Sequence, residues 1–240
     1  AEGKCLSNFS FYLGATNENI DEIVNVDKRK VCGIKLFVGS STGNMKVDNP
    51  ATLERIFKES PILVATHNED EQMIQENLKK VKEELGDAPI PISYHEVIRN
   101  SDACYKATSK VIDLAKKYGT RLHVLHLTTA KEMALFNNQP LTTEKLITAE
   151  TCVGYLWFDD HDYDRLGAKI KCNPSIKKEK SRVNLLKAVE TGIIDTIATD
   201  HAPHLLSEKE GDCLQAVSGY PSIQHSLQMR SEERRVGKEC

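Results

Sequence analysis

The sequence has no apolar run close to the roughly 20 residues that a membrane-spanning helix requires. Its first ten residues lack the basic and then apolar layout of a secretory signal peptide. The seven cysteines are odd in number and contain no CxxC pair, so neither a disulfide scaffold nor a cysteine-based zinc site is predicted. These absences favour a cytoplasmic protein whose thiols are free.

The chain also lacks an excess of basic residues, because 32 Lys and Arg stand against 35 Asp and Glu, for a net charge of -3. Nucleic-acid binding needs clustered cations, so a small-molecule substrate is the expected partner, with neither nucleic acid nor membrane. A homo-oligomer of the full-length protein stays open. No GxGxxG follows the first strand-like run, which argues against a dinucleotide-binding domain.

Short apolar runs alternate with amphipathic stretches along the chain, which predicts parallel strands joined by helices. Such a pattern forms either an open doubly wound sheet or a (β/α)8 TIM-type barrel, and a barrel needs about 250 residues. We predict an incomplete barrel in 1–229 whose first strand or strands are missing, followed by a charged, non-native tail in 230–240. Strand-like runs are at 9–14, 33–38, 62–66, 122–127, 146–149, 168–172 and 196–199, and helical stretches at 51–58, 71–85, 102–118 and 184–191.

Four of these strand ends carry groups that bind metals. Because the carboxyl ends of barrel strands share one face, Lys35, His67, His126 and Asp200 are predicted to converge there. Together they indicate a hydrolytic metal centre with oxygen and nitrogen ligands, for which zinc is the best candidate and manganese or cobalt are alternatives. Asp200 could also shuttle a proton.

Each residue also has a purely structural interpretation. Lys35 could extend its ammonium group to the rim, His67 could be a hydrogen-bonded loop residue, and Asp200 could cap a helix. His123 and His126 lie three positions apart, so strand alternation would send only one of them to the barrel centre, and His126 is favoured. The acidic run 69–71 is expected to begin the next helix.

The local sequence around these groups resembles dihydroorotase, of the amidohydrolase superfamily. The resemblance extends from about residue 1 to Met229, and its most specific block is Asp200 to His204. The other matching segments are Gly33 to Phe37, Arg121 to Thr128 and Lys171 to Ile176.

The resemblance implies zinc-dependent, reversible hydrolysis of dihydroorotate to N-carbamoyl-L-aspartate in pyrimidine biosynthesis. Lys35 matches a carboxylated lysine that bridges two zinc ions, and Asp200 matches a ligand that is also the catalytic base and acid. His67 and His126 match ligands of the second ion. The matching substrate-binding positions are Asn173 and His204, with Gly219 in a ring-contacting loop and Glu150 as an extra metal contact.

The sequence departs from the family pattern at its start. No histidine precedes His67, so the family's His-x-His-x-Arg motif is absent. An upstream substrate-binding Asn and a small β-sandwich domain are missing too, and 153–155 replaces a segment that usually contains His. We therefore expect a fragment that is truncated at both ends and is inactive in isolation.

Three other functions remain open. The first is another cyclic amidase, namely allantoinase or a dihydropyrimidinase or hydantoinase. The second is a non-catalytic homologue that serves as a structural partner. The third is a doubly wound ligand-binding domain with incidental histidines.

Overall fold

A computed structural model describes residues 3–39 and 45–229. Residues 40–44 and the predicted tail 230–240 lie outside the described residues. Six parallel strands form one sheet in the order of the chain, which confirms the predicted α/β class and the arc of a barrel. The strands are β1 (Tyr12–Gly14), β2 (Gly33–Gly39), β3 (Val64–Glu69), β4 (Leu122–Val124), β5 (Ile147–Cys152) and β6 (Thr196–Ala198).

Eight α-helices connect the strands within the described part of the chain. Three of them match the predicted stretches at 51–58, 71–85 and 102–118 closely. Each of the three begins after a residue whose side chain accepts backbone N–H groups, namely Asn49, Asp70 and Asn100. The helices are α1 (Ile20–Val24), α2 (Pro50–Glu59), α3 (Glu71–Leu85), α4 (Tyr94–Ile98), α5 (Ser101–Tyr118), α6 (Val153–Trp157), α7 (Asp162–Leu166) and α8 (Glu179–Glu190). No helix among the described residues is both long and apolar enough to cross a membrane.

The predicted strand at 168–172 is wrong. Gly167–Ile170 is a short 3-10 helix, and it begins at a glycine with a φ of +54° that turns the chain out of an extended path. An apolar run of this length does not by itself distinguish a strand from a buried helical turn. The segment that follows, 171–176, still reaches the functional cleft described below.

The hydrophobic core lies between the helices and one face of the sheet. On β2, Ile34, Leu36 and Val38 are buried on this face, whereas Lys35 and Phe37 alternate onto the other face. Residues paired across neighbouring strands point to the same side of the sheet. Lys35 pairs with Ala65, Ala65 with His123, and His123 with Thr148, so these four residues share the face opposite the core. The face opposite the helices therefore carries the polar groups.

Candidate functional site

A cleft of about 540 Å³ opens at the carboxyl ends of the strands. It brings together the four predicted metal-binding residues and two of the predicted substrate contacts, Asn173 and Gly219. Two walls enclose it: a strand wall at the ends of β2 to β4, and a loop wall formed by 171–173 and 200–219. The lining residues are Lys35, Phe37, His67, Arg99, His126, Cys172, Asn173, Asp200, Ala202, Ser218 and Gly219.

His67 and His126 form the centre of the strand wall. Both residues are 5% exposed, and His67 Nδ1 lies 3.0 Å from His126 Nε2. His67 Nε2–H donates to Glu69 Oε2 at 2.9 Å, which leaves the lone pair of Nδ1 facing His126. His126 Nδ1 is buried with no hydrogen-bond partner, so hydrogen bonds alone do not satisfy this pair of rings.

Two imidazole ligands of a tetrahedral zinc ion, with Zn–N bonds of about 2.0–2.1 Å, would hold their nitrogens roughly 3.3 Å apart. The observed 3.0 Å separation of His67 Nδ1 and His126 Nε2 is close to that spacing. The second nitrogen of His67 donates to a carboxylate, as is usual for metal-binding histidines. The two rings therefore fit a shared divalent cation.

His126 and Asp200 are the two non-glycine residues with positive φ in the described ranges, at +41° and +45°. A non-glycine residue in this region is strained by about 1–3 kcal/mol, and such strain concentrates at functional sites. The predicted strand at 122–127 is too long, because β4 ends at Val124. His126 therefore lies beyond the strand, and strand alternation does not set its orientation. The left-handed backbone turns His126 towards His67 instead.

Lys35 extends from β2 into the same cleft, and its Nζ lies 4.6 Å from the centroid of the Phe37 ring. Burial lowers the pKa of Lys35 to about 8, against the opposing attraction of Asp200 and Glu150. A minor neutral fraction of this amine, larger than for an ordinary lysine, is therefore present near neutral pH.

Asp200 follows β6 at the mouth of the cleft. The residue is exposed to solvent on one side, yet partial loss of solvation raises the pKa of its carboxyl, and Lys35 and His67 oppose that rise. Asp159, Asp160 and His161 are the one group of three metal-type side chains in the described ranges whose ligand atoms all lie within 4.8 Å of one another. Asp200 therefore faces the cleft but is not gathered tightly against both histidines.

The sequence prediction for the acidic run 69–71 was partly wrong. Asp70 caps α3 as expected, but Glu69 is the last residue of β3 and is completely buried. Its Oε2 accepts from His67 and also from Arg99 Nη1 at 2.5 Å. Burial raises the pKa of Glu69, but Arg99 and His67 outweigh it and hold the pKa at about 2. Glu69 stays ionised and fixes the ring of His67.

Two other predicted residues lie beside the cleft and do not line it. Glu150 accepts from His123 Nε2 at 3.1 Å and from the backbone N–H of His126 at 3.3 Å. His204 lines a neighbouring apolar pocket, although a Cβ on Gly219 would lie 3.0 Å from its ring. Cys172 does line the cleft, but burial raises the pKa of its thiol to about 12, which excludes a thiolate nucleophile at neutral pH.

Sequence reasoning missed Glu69, His95, Arg99, Ser218 and Lys209. The first three reach the cleft region by packing between segments that are distant in sequence. Lys209 donates to the backbone oxygens of Val217 and Gly219 and so holds the loop wall. No local signal marks these residues, because each matters through a partner on another element.

No family model matches the chain. A dihydroorotase from Methanosarcina mazei is 28% identical over 232 residues, covering 93% of this chain and 50% of that protein. An allantoinase from Solibacter usitatus is 27% identical over 233 residues, covering 94% of this chain and 50% of that protein.

A solved structure of L-hydantoinase (dihydropyrimidinase) from Arthrobacter aurescens superposes with a TM-score of 0.83 at 26% identity, covering 92% of this chain and 50% of that one. This chain is similar to dihydroorotases, allantoinases and hydantoinases. The resemblance predicted from the sequence is confirmed, and the chain spans about half the length of the curated relatives it matches.

Proposed function

We propose that the protein is a metal-dependent cyclic amidohydrolase, and specifically a dihydroorotase that reversibly converts dihydroorotate to N-carbamoyl-L-aspartate. The observation that carries the proposal is the meeting of Lys35, His67, His126 and Asp200 in one cleft, with backbone strain at two of them. The similarity to dihydroorotases over 93% of the chain supports the choice of substrate.

His67 Nδ1 and His126 Nε2 would hold one zinc ion, and Asp200 would bind a second. Lys35 would join the two after its neutral amine attacks carbon dioxide, which forms a carbamate and releases a proton. The lowered pKa of Lys35 supports that reaction, since only the neutral amine is nucleophilic. When bound, the metal supplies a water of lowered pKa and polarises the amide carbonyl.

The protein's own groups would then move the proton and orient the ring. Asp200 accepts the proton of the attacking water and delivers it to the leaving ring nitrogen, for which its raised pKa is suited. Asn173 holds the substrate from the loop wall, and His204 helps to hold it from beyond Gly219. Glu69 keeps the His67 ring in place throughout, because its carboxylate remains ionised.

The test is an assay of the natural full-length protein on dihydroorotate, allantoin and hydantoin, with metal content measured in parallel. We expect bound zinc and hydrolysis of dihydroorotate, and Asp200→Asn should lower kcat by about 10²-fold to 10⁴-fold while the metal is retained in part. A preference for allantoin or hydantoin would show that the protein is a cyclic amidase with a different substrate, namely an allantoinase or a hydantoinase. Absence of both metal and hydrolysis would support a non-catalytic structural partner.

Allantoinase is the second candidate. Its support is the Solibacter usitatus relative, whose identity and coverage nearly equal those of the dihydroorotases. The Asp200 to His204 block fits both activities.

A further inference from the structure

Asn173 is a half-buried residue whose amide oxygen is already occupied. Its Oδ1 lies 3.1 Å from His95 Nε2 and 3.2 Å from Ser218 Oγ. A carbonyl oxygen has two lone pairs, so two donors fill its capacity. His95 belongs to α4 and Ser218 to the 200–219 part of the loop wall, while Asn173 itself lines the cleft.

His95 can only be a donor at this contact. Its Nε2 lies 2.9 Å from the backbone oxygen of Cys172, which cannot donate, so Nε2 carries the hydrogen. The neighbouring atom of Asn173 must then be an acceptor, and this sets the orientation of the amide. The other ring nitrogen, Nδ1, faces the thiol of Cys213 at 3.8 Å, where the thiol is the donor.

His95 keeps this state over the physiological range. It is 4% exposed, and burial followed by the nearby Arg99 lowers its pKa to about 3. Lys171 opposes protonation as well, whereas the Cys172 carbonyl and Glu69 favour it. Burial therefore keeps the ring neutral, and the Cys172 carbonyl decides which nitrogen carries the hydrogen.

We propose that His95 is a positioning residue that locks the Asn173 amide with its NH2 group towards the cleft, so that this side of the site takes only a hydrogen-bond acceptor of the substrate. Cyclic amides carry both N–H donors and carbonyl acceptors, and the locked amide distinguishes them. A ring carbonyl or a carboxylate oxygen is bound, and a ring N–H is refused. The proposal rests on the proposed function for the identity of the substrate, but not for the orientation of the amide.

Without the hydrogen bond from His95, the side-chain amide of Asn173 could flip. Its Oδ1 would then face the acceptor oxygen of the substrate. A lost hydrogen bond of about 1.4 kcal/mol corresponds to a tenfold change in binding. The loss falls on substrate binding and not on the proton transfer by Asp200. We therefore expect KM to rise while kcat changes little.

The experiment compares His95→Leu with His95→Gln in the natural full-length protein. The Leu variant removes the donor, and we expect its KM to rise about tenfold with kcat within threefold and unchanged metal content. The Gln variant can donate through its Nε2, and we expect it to recover most of the binding. The exposed His161→Gln is the control, and its KM should match the wild type.

Asn173→Asp tests the amide directly. The carboxylate keeps the contacts with His95 and Ser218 but presents an acceptor to the cleft, so substrate binding should fall by more than tenfold. Ser218→Ala should produce a smaller rise in KM, and it serves where His95→Leu does not fold. Equal KM values for the Leu and Gln variants, or normal binding by Asn173→Asp, would overturn the proposal.

Nitrogen-15 NMR separates this inference from the proposed function. We expect His95 Nε2 protonated and Nδ1 unprotonated, whether or not any cyclic amide is hydrolysed. The opposite tautomer would refute the proposed role of His95. A wild-type protein that is inactive on all three substrates would refute the proposed function, but it would not change the tautomer that NMR finds for His95.

Discussion

The two walls of the cleft are built in different ways. The strand wall places Lys35 and His67 through the backbone ladder, in which Lys35 pairs with Ala65 and Phe37 with His67. The loop wall contains no strand and is held by side chains that donate to backbone oxygens, Lys209 above all. Lys35 and the two histidines proposed to bind metal lie on the first wall, whereas Asp200 and the proposed substrate contact Asn173 lie on the second.

The largest expected effect concerns the ion pair behind the strand wall. Glu69→Gln removes the buried carboxylate that pairs with Arg99 and weakens the acceptor of His67. Because breaking one side of a buried pair typically costs 3–5 kcal/mol, we expect a loss of about that size in the free energy of unfolding. Urea denaturation would measure it.

Glu59→Gln is the matched control, since Glu59 pairs with Arg55 on the surface of α2. Such a pair contributes about 0.3–0.5 kcal/mol. If both variants lose the same small amount, the strand wall is not held by its buried charges.

The next effect tests the loop wall. Gly219 has a φ of +121°, and an added Cβ would lie 2.8 Å from the backbone oxygen of Ala202. Gly219→Ala should cost about 1–3 kcal/mol through strain and that clash. Gly86→Ala, at a φ of +62° with no atom within 4 Å, should cost less.

Thermal unfolding would rank these two glycine variants. The ring signals of His67 and His126 in NMR should not move in Gly219→Ala, because the strand wall does not depend on this loop. Perturbed histidine signals would show that the two walls are coupled.

A third effect depends on pH and concerns His95, which joins α4 to the loop wall. Its pKa falls from an ordinary value of 6.5 to about 3 in the folded protein. Below pH 6.5 the unfolded chain binds a proton that the folded chain refuses. The stability is therefore complete above pH 6.5 and is lost as pH falls towards 3, by up to about 1.4 kcal/mol per pH unit.

His95→Gln cannot titrate, so its stability should fall less steeply with pH than that of the wild type. Denaturation at several pH values between 4 and 7, spaced about one pH unit apart, gives the slope of the unfolding free energy against pH for each protein. Parallel slopes would contradict the assigned burial of the ring.

The smallest effect concerns Lys209. Burial lowers its pKa to about 8, because partial loss of solvation opposes the ammonium form that donates to three backbone oxygens. The net stabilisation is therefore at the low end for such bonds, and Lys209→Met should cost about 1 kcal/mol. Lys79→Met, on the exposed face of α3, should be neutral in the same denaturation assay.

Much of the strand wall could be predicted because its signals are local. The apolar run that contains Lys35 and the run that ends just before His67 mark strands whose carboxyl ends share one edge. Asp200, on the loop wall, follows a third such run. The helices were equally readable, since α3 and α5 have capping residues at their starts and a periodic apolar face.

The remaining parts depend on contacts across the sequence. Residue 168 begins an apolar run that indicates a strand, but the adjacent left-handed glycine makes it a helical turn. Glu69 resembles the start of a helix until Arg99, 30 residues later, pairs with it.

The sequence by itself determined the alternation of strands and helices and the residues that could bind a metal, because periodicity and strand ends are properties of neighbouring positions. The tertiary structure decided which polar groups are paired and in which protonation state. Arg99, 30 residues away, keeps Glu69 ionised against His67, and His95, 78 residues away, holds the Asn173 amide. Neither Arg99 nor His95 can be read from the residues beside its partner.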